Sequence, residues 1–219
     1  MARAAATAAP PRARVRRAAP ERILEAAFTC FSRYGYKRVS LETIAQEAGI
    51  SRAALYLSFR NKEDLFRALA RQILEQAQQA AAAAAECDAP LTEKLYAVLD
   101  AKLGCVYERI HDSPHAAEIL DENNRLSGDL MDEFRRRFLR VLRACLARAD
   151  ASGEIDLRGA GLDAGGAAEL LADAAKGLER PAAGAAADPR RFRSRMQRLV
   201  ELTVAGLAPR GRRAARRRS

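Results

Sequence analysis

From Ile23 to Leu207, apolar residues recur every three or four positions, and nowhere does a stretch alternate strictly between apolar and polar residues. That period places one stripe of side chains on a helix face, whereas a half-buried strand needs a period of two. The chain is therefore expected to be all-helical. Composition agrees: 49 Ala and 25 Leu stand against only 7 Ile and 7 Val, and alanine is the best helix former and a poor strand former.

Punctuation divides the pattern. Pro20 suits a first helical position, and Ile23, Ala27, Phe31 and Tyr34 follow at helical spacing until Gly35. Ser40 is an N-cap with Glu42 in the first turn, and Gly49 ends a short second helix. A third short helix starts after Ser51 and runs to about Phe59; Asn61 caps a long fourth, with Leu65, Phe66 and Leu69 inward. Pro90 opens a fifth helix and Pro114 breaks it. A short helix over about Ala116 to Asn123 precedes a stronger one from about Asp129 to Arg148. Two more, over about Leu162 to Leu178 and Pro189 to Leu207, flank a Pro181 to Ala187 linker.

Charge is concentrated at the ends. Residues 1–20 hold five Arg and no acid, and residues 209–219 hold six Arg and no acid, leaving 27 basic against 28 acidic residues between them. Basic runs with little to bury do not offset the entropy of ordering, so arms over 1–19 and 209–219 are expected to be disordered. They suit a polyanion, and could equally be solvated tails with no role. No run is long or apolar enough for a bilayer, and the N-terminus lacks the apolar block of a secretory signal, so a cytoplasmic chain is expected. The four Cys are far apart without a C-x-x-C pair, and Pro114 interrupts the helix that would align His111 with His115. No metal or cofactor is expected.

One segment has a sharper mechanical reading. Between Ser40 and Phe59 the chain reads SLETIAQEAGISRAALYLSF. Two helices cross steeply through a tight turn only if the contact residue is small, the turn accepts positive φ and apolar residues clamp the angle. Ala45, Gly49 and the set Ile44, Ile50 and Leu55 meet those demands. The following helix offers Ser51, Arg52, Tyr56 and Ser58, with no acid between Gly49 and Lys62. Its size suits the major groove of DNA. The plainer reading is a helical hairpin inside a bundle.

The spaced set Ile44-Ala45-x-x-Ala48-Gly49-Ile50-Ser51, Leu55-Tyr56-x-x-Phe59 and Lys62-Glu63-x-Leu65 resembles the N-terminal signature of the tetracycline-repressor-like (TetR) family of bacterial transcription regulators, over about Ile23 to Leu69. The resemblance implies a DNA-binding head, here 20–67, joined by the fourth helix to a helical effector-binding and dimerisation body, here 68–208. It implies a dimeric regulator, a repressor released by a small molecule. With no paired nucleophile and base, no metal-ligand spacing and no phosphate-binding Gly loop in the sequence, an enzyme is not expected. Ser40 and Thr43 then contact backbone phosphates, Arg52, Ala53 and Ala54 open the recognition helix, Tyr56 reaches a phosphate, and Lys62 anchors the fourth helix to the DNA backbone. Gly and Thr are frequent at the positions of Ala53 and Ala54, and His at that of Ser58, so base reading falls mainly on Arg52, with Ser51 and Ser58 as helpers.

In the body, Tyr96, Leu99, Leu103, Tyr107, Phe134, Phe138 and Leu142 form an apolar set with two hydroxyls, suited to a small-molecule pocket and, residue by residue, equally to core. Arg135, Arg136, Arg137 and Arg140 read as a solvated face, or as an anion site. By resemblance the last two helices pair with a second copy. The competing function is a helical small-molecule-binding protein with only nonspecific DNA affinity.

Overall fold

A computed structural model describes residues 20–110, 112–178 and 188–209, excepting the side chains of residues 103–109. The arm over 1–19, the tail from 210 onward, the 181–187 connection and His111 lie outside the described residues. Eight α-helices and no strand are found among those described: α1 (Pro20–Tyr34), α2 (Leu41–Glu47), α3 (Arg52–Tyr56), α4 (Lys62–Glu86), α5 (Leu91–Ile110), α6 (Ala116–Ala151), α7 (Ala164–Gly177) and α8 (Pro189–Gly206).

Most boundaries follow the caps. Asn61 Oδ1 accepts the Asp64 N–H at 2.7 Å, Asp163 Oδ1 accepts that of Gly166 at 2.7 Å, and Pro189 opens α8 behind Asp188. Two elements depart from the pattern. α3 ends at Tyr56 rather than near Phe59, because the Ser58 and Phe59 N–H groups both turn back to the Leu55 carbonyl. The two helices expected around Asn123 and Asp129 form a single rod, α6, kinked where Ser127 leaves helical geometry at φ −130° and ψ 19°. A kink exposes carbonyls, and here Arg67 of α4 donates to the Leu126 carbonyl while its guanidinium grips Asp129 at 2.8 and 2.7 Å.

Two apolar cores lie along α4. Ile23, Phe31, Ile44, Leu55, Leu65 and Phe66 form the first, joined by Ile119 from α6. Leu95, Leu99, Phe138, Leu142, Leu146 and Met196 centre the second. α4 gives Leu65, Phe66 and Leu69 to one and Ala77, Ala81 and Ala85 to the other. The alanines let α5 and α6 approach closely, which explains why the alanine-rich stretch continues α4 instead of ending it.

α4 and α6 are further tied by four ion pairs: Glu63 to Arg125, Arg67 to Asp129, Glu75 to Arg137 and Glu86 to Arg148, at 2.7 to 3.3 Å. Each joins residues 62 apart. A constant difference is the signature of two parallel helices with the same rise, so the pairs fix a register. Singly, such exposed pairs are each worth at most about 1 kcal/mol.

The Arg67 hydrogen bonds hold the Asp129 carboxyl at about 2, below its ordinary 3.8. A lowered carboxylate value contributes stability above the unfolded value that is lost as pH falls. In guanidinium titrations, wild type is therefore expected to exceed Asp129→Asn by a constant margin above about pH 5, shrinking as pH falls from 3.8 through about 2. A margin undiminished at pH 2 would contradict this.

Candidate nucleic-acid interface

The turn between α2 and α3 is built as its residue types dictate. Gly49 sits at φ +65°, where a side chain would be strained, and the Ile50 N–H closes the turn on the Ala45 carbonyl at 3.0 Å. Ile44 and Leu55 are fully buried and Ala45 nearly so, with Ile50 half-buried beside them. From α1, Arg22 donates to the Ala48 carbonyl at 3.3 Å, holding the turn from behind.

With Leu55 anchored, the opposite side of α3 faces outward. Ser51, Arg52, Ala53 and Ser58 are exposed, Ala54 is half-buried and Tyr56 is 43% exposed. Two hydroxyls also serve as caps: Ser40 Oγ accepts the Thr43 N–H at 3.2 Å and lies 3.1 Å from Thr43 Oγ1, and Ser51 Oγ accepts the Ala54 N–H at 3.1 Å. Ser40 is exposed and Thr43 half-buried at the start of α2.

Arg52 is not a free cation. It pairs with Glu42 of α2 at 2.7 Å, and its guanidinium lies 5.4 Å from the centre of the Tyr56 ring. The Glu42 carboxyl is held below its ordinary value, first by its own backbone N–H at the start of α2 and then by Ser40. The acid-free run between Gly49 and Lys62 thus acquires an acid from the neighbouring helix. Leu57, at 73% exposure, is a second feature that the pattern missed. Its signal was available, since it lies between Leu55 and Phe59 and off the buried stripe.

Lys62 is placed differently from the expectation of an outward phosphate anchor. Its Nζ donates to the carbonyls of Tyr36 at 2.8 Å, Val39 at 2.9 Å and Lys37 at 3.4 Å, and sits 4.4 Å above the Tyr36 ring. All three N–H groups are thereby engaged, and burial lowers the ammonium's affinity for its proton. Lys62 fastens the α1–α2 connection to the start of α4. Spacing alone could not show this, because the acceptors are carbonyls more than twenty residues upstream.

In the body, Leu99, Phe134, Phe138 and Leu142 are buried in one cluster, with Tyr96 partly buried against it. The side chains of Leu103 and Tyr107 lie outside those described. Exposed apolar residues mark the last two helices: Leu170 on α7 at 61% and Leu202 on α8 at 72%. No helix among the described residues is long and apolar enough to cross a membrane, and no group of three His, Cys, Asp or Glu placed to hold a metal occurs among them.

Residues 23–69 match the sequence profile of the bacterial regulatory proteins of the tetR family. The HTH-type transcriptional regulator YhgD of Bacillus subtilis is 35% identical over 81 residues, which cover 37% of this chain and 42% of YhgD. The chain thus matches less than half of that relative's length. Among solved structures, the TetR family transcriptional regulator PfmR of Thermus thermophilus is 25% identical with a TM-score of 0.59, over 86% of this chain and 100% of PfmR. SmeT, the repressor of the Stenotrophomonas maltophilia multidrug efflux pump SmeDEF, gives a TM-score of 0.62 at 23% identity, over 89% of this chain and 92% of SmeT, and has also been solved with triclosan. With residues 23–69 matched by the profile, 86% of the chain matched in fold by PfmR, and its turn, buried anchors and exposed third helix in place, the chain carries the N-terminal domain of the TetR family of bacterial regulatory proteins and resembles that family's solved members in fold.

Proposed function

We propose that the protein is a cytoplasmic, ligand-responsive repressor that binds a palindromic DNA site as a homodimer, with its DNA-binding head over 20–67 and its effector and dimerisation body over 68–208. The observation that carries this reading is the outward face of α3, anchored by Leu55 and displaying Arg52, Tyr56 and Ser58. Arg52 reads a base edge and is the main source of preference, since arginine to guanine is the commonest specific contact. Ser40, Thr43, Ser51 and Tyr56 meet phosphates, and Ala53 and Ala54 allow close approach to the groove. Glu42 pre-positions Arg52 in the absence of DNA and must release it, in whole or in part, on binding.

Two copies pair through α7 and α8, covering Leu170 and Leu202, and present two α3 helices to major-groove faces about 34–36 Å apart. A small molecule lodged among Tyr96, Leu99, Phe134, Phe138 and Leu142 shifts α6. Through Arg67 and the ion pairs to α4, the shift reaches the heads and changes their separation. The SmeT complex with triclosan supports a small apolar effector as the class.

Gel-shift titration on DNA flanking its own gene, with unlabelled nonspecific competitor, tests the reading. Arg52→Ala is expected to cost about 1–3 kcal/mol and to relax preference at one base position per half-site. Equal loss on all sequences would instead assign Arg52 to phosphate.

A further inference from the structure

Beside its apolar core, the body carries a concave surface feature. A groove of about 300 Å³ lies between α4 and α6, with Ala82, Ala85, Val141 and Ala144 along its apolar wall and Arg137, Arg140 and Arg148 at its edge. At 3.6 residues per turn, the α6 residues lining it lie roughly a third of a turn around the helix from the stripe of Phe134, Phe138 and Leu142 that faces the core. The groove is therefore a separate surface from the proposed effector pocket.

Two observations show what it would hold. Arg137 and Arg148 are each answered by a glutamate, Glu75 and Glu86, whereas Arg140 is exposed and makes no hydrogen bond or ion pair among the described residues. One positive charge is thus left over on this face of α6, between two arginines that are each neutralised, with the Glu86 carboxylate also in the groove's lining. Second, Gln78 of α4 lines the groove at only 8% exposure, and its Oε1 is buried without a donor. An unanswered buried acceptor is costly, so a ligand that displaces water from the groove must itself donate there. A ligand meeting both needs has a carboxylate at one end, a hydroxyl close by and a short alkyl portion to cover the alanines and Val141.

We infer that this groove binds a short-chain hydroxy acid, its carboxylate on Arg140 and its hydroxyl donating to Gln78 Oε1 after a small rotation of that side chain. The site goes beyond the DNA-binding reading and its direct test does not depend on it. Because Gln78 belongs to α4 and Arg140 to α6, the bound acid adds a link between the two helices already registered by ion pairs.

Isothermal titration of the full chain with 2-hydroxyhexanoate, 3-hydroxyhexanoate and hexanoate decides the matter. At least one hydroxy acid is expected to bind tenfold or more tightly than hexanoate. Arg140→Ala is expected to weaken every acid at least tenfold, and Gln78→Met to abolish the preference for the hydroxyl while leaving hexanoate affinity unchanged. Arg140 is exposed, and the Met side chain is close to Gln in size, so both variants are expected to melt within a few degrees of wild type. Absence of binding at millimolar acid, equal affinity for hexanoate and the hydroxy acids, or affinity indifferent to Arg140→Ala would each overturn the proposal; the last would place the acid in the body's core instead.

Discussion

Replacing Phe31 by alanine is expected to cost about 3–5 kcal/mol, the range for deleting a buried aromatic ring. Phe31 is 1% exposed, and its ring centre lies 5.5 Å from that of Tyr36 and 5.4 Å from that of Phe66, which are themselves 5.1 Å apart edge to face. The three rings join α1, the α1–α2 connection and the start of α4. Lys62 sits over Tyr36 on the far side of the same cluster. The head's core is small, so the remaining side chains can collapse only partly into the space. Denaturant unfolding followed by circular dichroism measures the loss. A loss below 1 kcal/mol would mean that the aromatic cluster is not what seats α4 on the head.

The second large effect is expected at Gly35, where Ala is predicted to cost about 2–3 kcal/mol. Gly35 has φ +81°, and a Cβ there would lie 2.5 Å from Glu118 Oε2 and 3.0 Å from His115 Nδ1. Left-handed backbone costs an L-residue roughly 1–2 kcal/mol. The displaced carboxylate also gives up the Lys37 N–H, which it accepts through Oε1 at 2.8 Å, a bond worth about 1 kcal/mol. The region is a second junction between the first residues of α6 and the head, reinforced by Ser113 Oγ donating to the Ser32 carbonyl at 2.7 Å. A double-mutant cycle separates the two parts: in a Glu118→Ala background, Gly35→Ala should cost only the backbone strain, about 1–2 kcal/mol. Strict additivity of the two substitutions would contradict the steric part of the argument.

Local physics made much of this molecule readable from its residues. Caps at Ser40 and Asn61 and the glycine at 49 act within a turn of where they stand, and each is found where the pattern put it, as is the start of α3 after Ser51. The exposed side of α3 was readable too, because the burial of Leu55 leaves the rest of so short a helix facing out. What the pattern missed depends on partners distant in sequence. Glu42 reaches Arg52 across the turn, Lys62 turns inward to three upstream carbonyls, and Arg67 crosses to α6 and bridges a break that read as the end of a helix. None of these has a periodic signature, since each depends on how two helices come to lie together. The constant separation of 62 along the α4–α6 ion pairs becomes visible only once the helices are known to run parallel.

The central claim is that α3 reads base sequence, in two copies at once. Selection of bound duplexes from a randomised DNA pool by the full chain, in excess nonspecific competitor, tests it most directly. The expected result is enrichment of an inverted repeat whose half-site centres are about one helical turn, or a whole number of turns, apart, with Arg52→Ala flattening the preference at one position in each half. A pool that stays random after repeated rounds, while the protein still binds bulk DNA in a salt-dependent way, would contradict it.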